Sequence, residues 1–257
     1  QPFSRIGPAL VSAYARSGKA ADADKLLNAR ISADSQDVDA MVLLAELHAQ
    51  KGELGDAEDI LNKAMAQHPD NSKPYLDLAR LLTRENKLDA ASKILEGAAA
   101  KFPQDRDVAR YAAITYDTIG NFASAKAGYE AILAKWPDDM VAANNLAALI
   151  ADQFSSDPAQ LGRARQLAEK FRNSDQPELL DTLGWVLVRQ GNFDDATILL
   201  EKAASLAPSN QQIQFHYAVA LKSKGLTAKA KEAFDKALAG SPTYRGVEEA
   251  RKDAALQ

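Results

Sequence analysis

The chain has 257 residues, with 31 basic and 35 acidic side chains, a net charge of −4 and a pI near 5.5. Hydrophobic residues make up 46% and charged residues 26%, which excludes global disorder, and the acidic balance argues against nonspecific nucleic-acid binding. The absence of cysteine excludes disulfide frameworks, thiolate nucleophiles and the usual structural zinc sites together. Alanine makes up roughly a fifth of the chain, well above ordinary usage. No stretch approaches the roughly 20 apolar residues of a membrane-spanning helix. The chain opens on Gln1 rather than Met, which reads as a processed or engineered start, such as a cut inside a longer protein.

Pro69, Pro103 and Pro137 stand 34 residues apart, and other residues keep the same interval. Gly52, Asn86 and Gly120 form one series, and Ala57, Ala91 and Ala125 another. Leu44, Leu78 and Ala112 form a third. Near the C-terminus the interval returns in Gly184 and Ala218, Gly191 and Gly225, Leu200 and Phe234, and Pro208 and Pro242. Such a period in small and large apolar residues predicts a helical repeat array. In one unit Leu183, Gly184 and Leu187 share a helical face. Gly191 ends that helix in a left-handed conformation, and Asn192 and Asp194 are the expected N-cap and first-turn residues of the next. Ala196, Leu200 and Ala203 then form a small-large-small stripe that admits close helix approach, before Pro208 closes the unit.

Helix, short turn, helix and proline-marked loop at this period resemble the tetratricopeptide repeat. In chain order the units fall at 4–37, 38–71, 72–105, 106–139, 140–176, 177–210 and 211–244, with 245–257 as a closing helix. The first unit is degenerate: Tyr14, Gly18 and Ala23 fit, but Ser35 stands at the proline position. The fourth carries Ile132 in place of the second small residue. The fifth runs from 140 to 176, three residues over the period, because Asp152 to Pro158 replaces the tight turn. That insertion reads either as a tolerated surface loop or as a binding element. The resemblance implies an all-α fold, a right-handed superhelix of seven helix-turn-helix repeats in one solenoid.

No catalytic constellation is present in the sequence. The 13 glycines form no phosphate-binding fingerprint, and no serine-centred elbow occurs. Of the three histidines, His48 occupies a position where the repeat usually has tyrosine and reads as a packed interface residue, and His68 precedes Pro69 in a loop. His216 is the one expected near a groove. No pair has the spacing of a helical metal site, so neither metal nor cofactor is expected.

In the resembled family the first helices of the repeats line a concave groove that holds a peptide or partner helix. On this register Arg80, Arg84 and Arg110 form a basic patch suited to carboxylates. Asn144 and Asn145 are candidates for hydrogen bonds to a peptide backbone, the alternative being a solvated pair. Asn145 matches one position of the family's chaperone-binding clamp, but Ile114, Glu178 and Thr182 occupy its other positions, which rules that clamp out. Asp181, Trp185 and Arg189, with Phe215 and Lys222 one unit on, form an aromatic and charged cluster. Trp185 is either an exposed anchor for a partner or a residue of the core.

The expected function is a non-catalytic scaffold that binds a protein or peptide in the groove, with no nucleic acid and no membrane span in this segment. The runs Asn144 to Ile150 and Leu180 to Gly191, with the Asp157-Pro158 turn, resemble bacterial envelope members of the family. These include periplasmic repeat proteins and lipoproteins linked to exopolysaccharide and PEP-CTERM systems. The resemblance implies a periplasmic or envelope location. A cytoplasmic adaptor and the docking arm of a larger enzyme are the alternative readings, and self-association through the Leu226 to Leu238 helix or the tail stays open.

Overall fold

The computed structural model describes residues 7, 9, 11–14 and 16–255. The expected opening of the first unit at residue 4 and the last two residues of the tail lie outside the described residues. Among the described residues every regular element is helical. The chain divides into two compact units, residues 1–128 and 129–257, and the division falls within one helix.

The first unit holds α1 (Ala20–Ala33), α2 (Val38–Lys51), α3 (Leu54–Gln67), α4 (Lys73–Arg84), α5 (Leu88–Lys101) and α6 (Arg106–Thr118). Helix α7 (Phe122–Lys135) carries the division. The second unit holds α8 (Met140–Gln153), α9 (Pro158–Ala168) with a 3-10 turn at Glu169–Phe171, α10 (Pro177–Arg189), α11 (Phe193–Leu206), α12 (Gln211–Ser223), α13 (Thr227–Ala237) and α14 (Val247–Ala255). From α1 to α6 and from α8 to α14 each helix packs on the next, and helices two apart also touch: α2 with α4, α8 with α10, α10 with α12, and α12 with α14. That pattern is the local geometry of a helical solenoid.

The turn between the helices of a hairpin is set by one backbone position. Gly52, Gly191 and Gly225 hold it at φ of 84°, 76° and 74°, and Asn86 takes the same left-handed conformation at 60°. Asparagine is the side chain that tolerates this region best, so the period survives there without glycine. The loop between hairpins is closed instead by an acidic or amide cap on the next first helix. Asp37 accepts from the Ala40 amide, Asp105 from Asp107 and Val108, Asp139 from Ala142, and Asn210 from Ile213. Asn192 stands at the start of α11, but its amide turns to Asp195 at 3.4 Å and caps nothing.

The alanine stripe is the core. Ala57, Leu61 and Ala64 on α3, Ala91, Leu95 and Ala98 on α5, and Ala196, Leu200 and Ala203 on α11 are all buried. Ile132 fills its irregular position at 1% exposure. Each large residue of the stripe contributes about 1.5–3 kcal/mol by leaving water. The small residues set the spacing: α10 and α11 lie so close that a Cβ on Gly184 would stand 2.6 Å from Leu200 Cγ.

The fifth repeat's irregular turn is not a free loop. Asp157 caps α9 through the amides of Ala159 and Gln160, and Ser155 accepts a hydrogen bond from Arg189 Nη2 at 2.7 Å. Just before the turn, Asp152 in the last turn of α8 accepts from the Trp185 indole at 2.7 Å. The insertion is therefore tied to the helix of the following repeat.

Candidate functional site

In the first unit α2 and α4 enclose a groove of about 380 Å³. Its floor is apolar, built from Val42, Ala45, Ala49 and Leu81, and its rim carries Lys73, Arg80 and Arg84 against Glu46 and Asp77. The floor residues are buried because they alternate with the rim at helical spacing on the same two helices. Lys73 is paired with Asp39 at 2.5 Å, and Arg80 with Asp77 at 2.7 Å. Arg84 is exposed and has no hydrogen-bond or ion-pair partner among the described residues. Arg110 does not border this groove; it pairs with Asp107 on its own helix at 3.2 Å. The expected three-arginine patch thus resolves into two residues on the groove and one beside Asp107. The Arg80 guanidinium also lies 5.6 Å from the centre of the Tyr111 ring.

In the second unit the aromatic cluster is interior. Trp185 is 3% exposed and Phe215 1%, so neither stands out as an exposed anchor, and Trp185 takes the packed alternative. Two partners make this burial tolerable. The Trp185 N–H finds Asp152, and its ring stacks on His216 at 4.1 Å and 10°. Arg189 lies 5.4 Å from the same ring while bonding Ser155 and reaching toward Glu249 at 3.8 Å. The closing segment covers Phe215: the Tyr244 ring is 5.9 Å away, and a Cβ on Gly246 would meet Phe215 at 2.8 Å. Lys222 is held by Asp253 on α14, through both the backbone and side-chain oxygens at 3.1 Å.

Asp181 is also buried, and both its oxygens lie within 3.0 Å of His216 Nδ1. This pair and Trp185 border a cleft of about 160 Å³, together with Asn144, Asp152 and Glu178. A second cleft of about 140 Å³ shares Asp152, Trp185 and His216 and opens toward Arg245 and Glu249. Asn144 donates its amide to Asn145 at 3.3 Å, while its Oδ1 is buried without a partner. Asn145 does not border the cleft. His216 was the one histidine that the sequence placed near a groove. Asp152 and Glu178 stand at groove-facing positions of the register without being marked as binding residues, because carboxylates on first helices carry no signal until the fold shows what they face.

His48 is mostly covered, with Nε2 3.2 Å from Asp24 and Nδ1 2.7 Å from Glu53. Ligand atoms of His48, Glu53 and Asp56 all lie within 4.8 Å of one another. Their spacing crosses a turn, so no helical metal motif flags them. The Lys51 ammonium already holds Glu53 at 2.6 Å and depresses its carboxyl, while Lys51 itself is raised by the same bond. That ion pair already neutralises the carboxylate a metal would need.

Sequence profiles described as tetratricopeptide repeat match residues 14–70, 54–115 and 182–245. A TPR repeat-containing protein of Pseudomonas aeruginosa, PA4667, is 34% identical over 82 residues, which cover 31% of this chain and 13% of that protein. The chain thus spans only a small part of that relative. A tetratricopeptide repeat protein from Parabacteroides merdae superposes with a TM-score of 0.68 at 19% identity, covering 86% of each chain. Pseudomonas aeruginosa pilF superposes at 0.65 and 17% identity, covering 87% of this chain and all of that one. Among the described residues no helix is long and apolar enough to cross a membrane. With the period, the left-handed turns, the alanine stripe and the matching profiles in agreement, the chain belongs to the tetratricopeptide repeat family.

Proposed function

We propose that this chain is a non-catalytic protein-interaction scaffold whose first-unit groove takes an apolar partner segment bearing a carboxylate. Tetratricopeptide repeats are typically such scaffolds. The observation that carries the reading is the groove between α2 and α4, with a buried apolar floor and a free arginine at its rim. An apolar side chain of the partner fills the floor, and its acid meets Arg84, the one groove cation without a partner among the described residues. Arg80 already shares its charge with Asp77, so Arg84 dominates recognition.

Selection of displayed random peptides against the full chain tests this. Peptides joining apolar residues to Asp or Glu are expected, and Arg84→Glu should weaken them by at least about tenfold, since removing and reversing one charge-assisted contact exceeds 1.4 kcal/mol. Peptides that bind Arg84→Glu equally well overturn the reading.

A bacterial envelope assembly, such as one in exopolysaccharide synthesis or export, is the setting we propose. Its support is the likeness of Asn144 to Ile150 and Leu180 to Gly191 to envelope members of the family. Fractionation of the native host decides it: recovery with periplasm or membranes supports the setting, and recovery only with cytosol favours the adaptor reading.

A further inference from the structure

In the second unit the last turns of three successive first helices carry Asp152 on α8, Arg189 on α10 and Lys222 on α12. Each is answered by a residue of the closing segment, and the answering residues stand four apart. Arg245 pairs with Asp152 at 3.4 Å, Glu249 with Arg189 at 3.8 Å, and Asp253 with Lys222 at 3.1 Å. The tail therefore crosses three repeats with its charges in complementary order, base on acid and then acid on base twice. Tyr244 and Gly246 lie over Phe215, where the repeat register expects a groove-bound partner.

The hold on this segment is light. Among the described residues α14 buries one side chain fully, Ala250, while Val247 and Ala254 are half-buried. The α12 helix beneath it buries Ile213, Phe215, Ala218 and Leu221. The three ion pairs join partly exposed side chains, and such pairs contribute little and weaken with salt. The Tyr244 hydroxyl is buried without a partner, which penalises the docked state. A cleft of about 140 Å³ also remains under the tail, between Arg245, Gly246 and Glu249 on one side and Trp185, Arg189 and Phe215 on the other. The charges of the tail thus fit the groove well, and its apolar face fits poorly. A segment joined permanently to the core would fill that space with large apolar side chains.

We propose that α14 is a displaceable occupant of the second unit's groove, and that the groove takes in its place a partner helix of the same charge order. That helix carries a basic residue, then acidic residues four and eight positions on, with apolar side chains between them. The order also sets its direction, since a helix lying the other way brings an acid against Asp152 and a base against Lys222. The tethered tail competes at high effective concentration, so segments that match it only loosely stay out. A partner with a larger apolar side chain over the cleft gains contacts that the tail lacks, and this lets it displace α14. The site deepens the scaffold reading and rests on it, adding a second surface and the segment that closes it. It lies in the other unit from Arg84, so either proposal can fail while the other stands.

Amide hydrogen exchange of the isotope-labelled full chain, followed by nuclear magnetic resonance, tests the proposal. Amides of α14 should exchange at least about tenfold faster than those of α12, and faster still as salt screens the ion pairs. An unlabelled peptide of residues 243–255, added in trans, should saturably speed exchange in the chain's own α14. The same peptide with Arg245→Glu, Glu249→Lys and Asp253→Lys should have no effect. In the full chain, Glu249→Lys with Asp253→Lys changes two tail side chains and spares the core. That variant should take the unaltered peptide about tenfold more tightly, because its own tail competes less, while Arg84→Glu leaves peptide binding unchanged. Protection of α14 equal to that of α12, an equal response to the charge-reversed peptide, or no gain in the tail variant overturns the proposal. Release of α14 that rises with protein concentration, with dimers in sedimentation, would overturn a foreign helix in favour of a second copy of this chain.

Discussion

Replacing Gly184 by alanine adds one methyl group at a close approach of α10 and α11. The new Cβ would stand 2.6 Å from Leu200 Cγ, 2.8 Å from Cδ2 and 3.3 Å from Cδ1. Leu200 is fully buried and meets the methyl at its branch point, so no rotation of a flexible end relieves the clash. Overpacking of this kind costs about 1–3 kcal/mol, and the tight contact places it near the top of that range. Alanine recovers about 1 kcal/mol of helix propensity in a helix interior. The net expectation is destabilisation of about 2 kcal/mol. Gly97 and Gly162 supply the contrast: each is helical, and a Cβ there meets nothing within 4 Å. The same substitution at either site should stabilise by about 0.5–1 kcal/mol. Urea unfolding followed by circular dichroism measures all three, and midpoints should move in opposite directions. Leu200→Ala should cost less in the Gly184→Ala background than alone, because the added methyl partly fills the space it leaves. Gly184→Ala as stabilising as Gly97→Ala would refute the close-approach argument.

Two further outcomes follow from caps and burial. Asp139 is 1% exposed and caps α8 through the Ala142 amide at 2.9 Å, so Asp139→Ala should lower stability by about 1–2 kcal/mol. Asn192→Ala, at a start position whose side chain caps nothing, should change the urea midpoint little. The Tyr217 hydroxyl is pushed up to about 12 by burial and by the charge and hydrogen bond of Glu201, and Tyr244 to about 12 by burial, which outweighs Arg251. The fold favours the neutral phenol, while the unfolded chain ionises near pH 10. Their contribution is therefore present below about pH 10 and lost as pH rises toward 12. Phenolate absorbance should show a late phase that disappears in the Tyr217→Phe, Tyr244→Phe double variant; a single phase near pH 10 would refute this.

The fold was legible because its rules are local and repeat. Small residues at the helix crossings and a left-handed residue at most hairpin turns leave a 34-residue trace that one sequence displays by itself, even where Asn86 replaces glycine. The site was less legible, because one register position holds residues with different fates. Arg80 and Trp185 occupy equivalent first-helix positions, yet the first is exposed and the second buried. Trp185 goes inside because Asp152, in the last turn of α8, accepts its N–H, and because His216 offers a ring to stack on. Neither partner is adjacent in sequence, and the irregular turn beside Asp152 looked as much like a tolerated loop as an active part. Phe215 and Lys222 were read as groove residues since nothing in the repeat pattern says that the tail folds back over them. Arg84 was the reverse case, visible from the register and left open by the fold.

The alanine seams are nearly the same at every joint, so the apolar surface alone would let one repeat stand beside any other. The polar joints in the second unit remove that freedom. Asp152 meets Trp185 and Asp181 meets His216, each across one repeat length, and among the described residues neither pair recurs at another joint. Each joint thus carries its own address, as a key fits one lock. Gene duplication or deletion of a single repeat here would keep the greasy seam but strand a buried indole, carboxylate or imidazole. Duplication or deletion of one repeat among the last three should therefore cost more than the alanine seam alone implies.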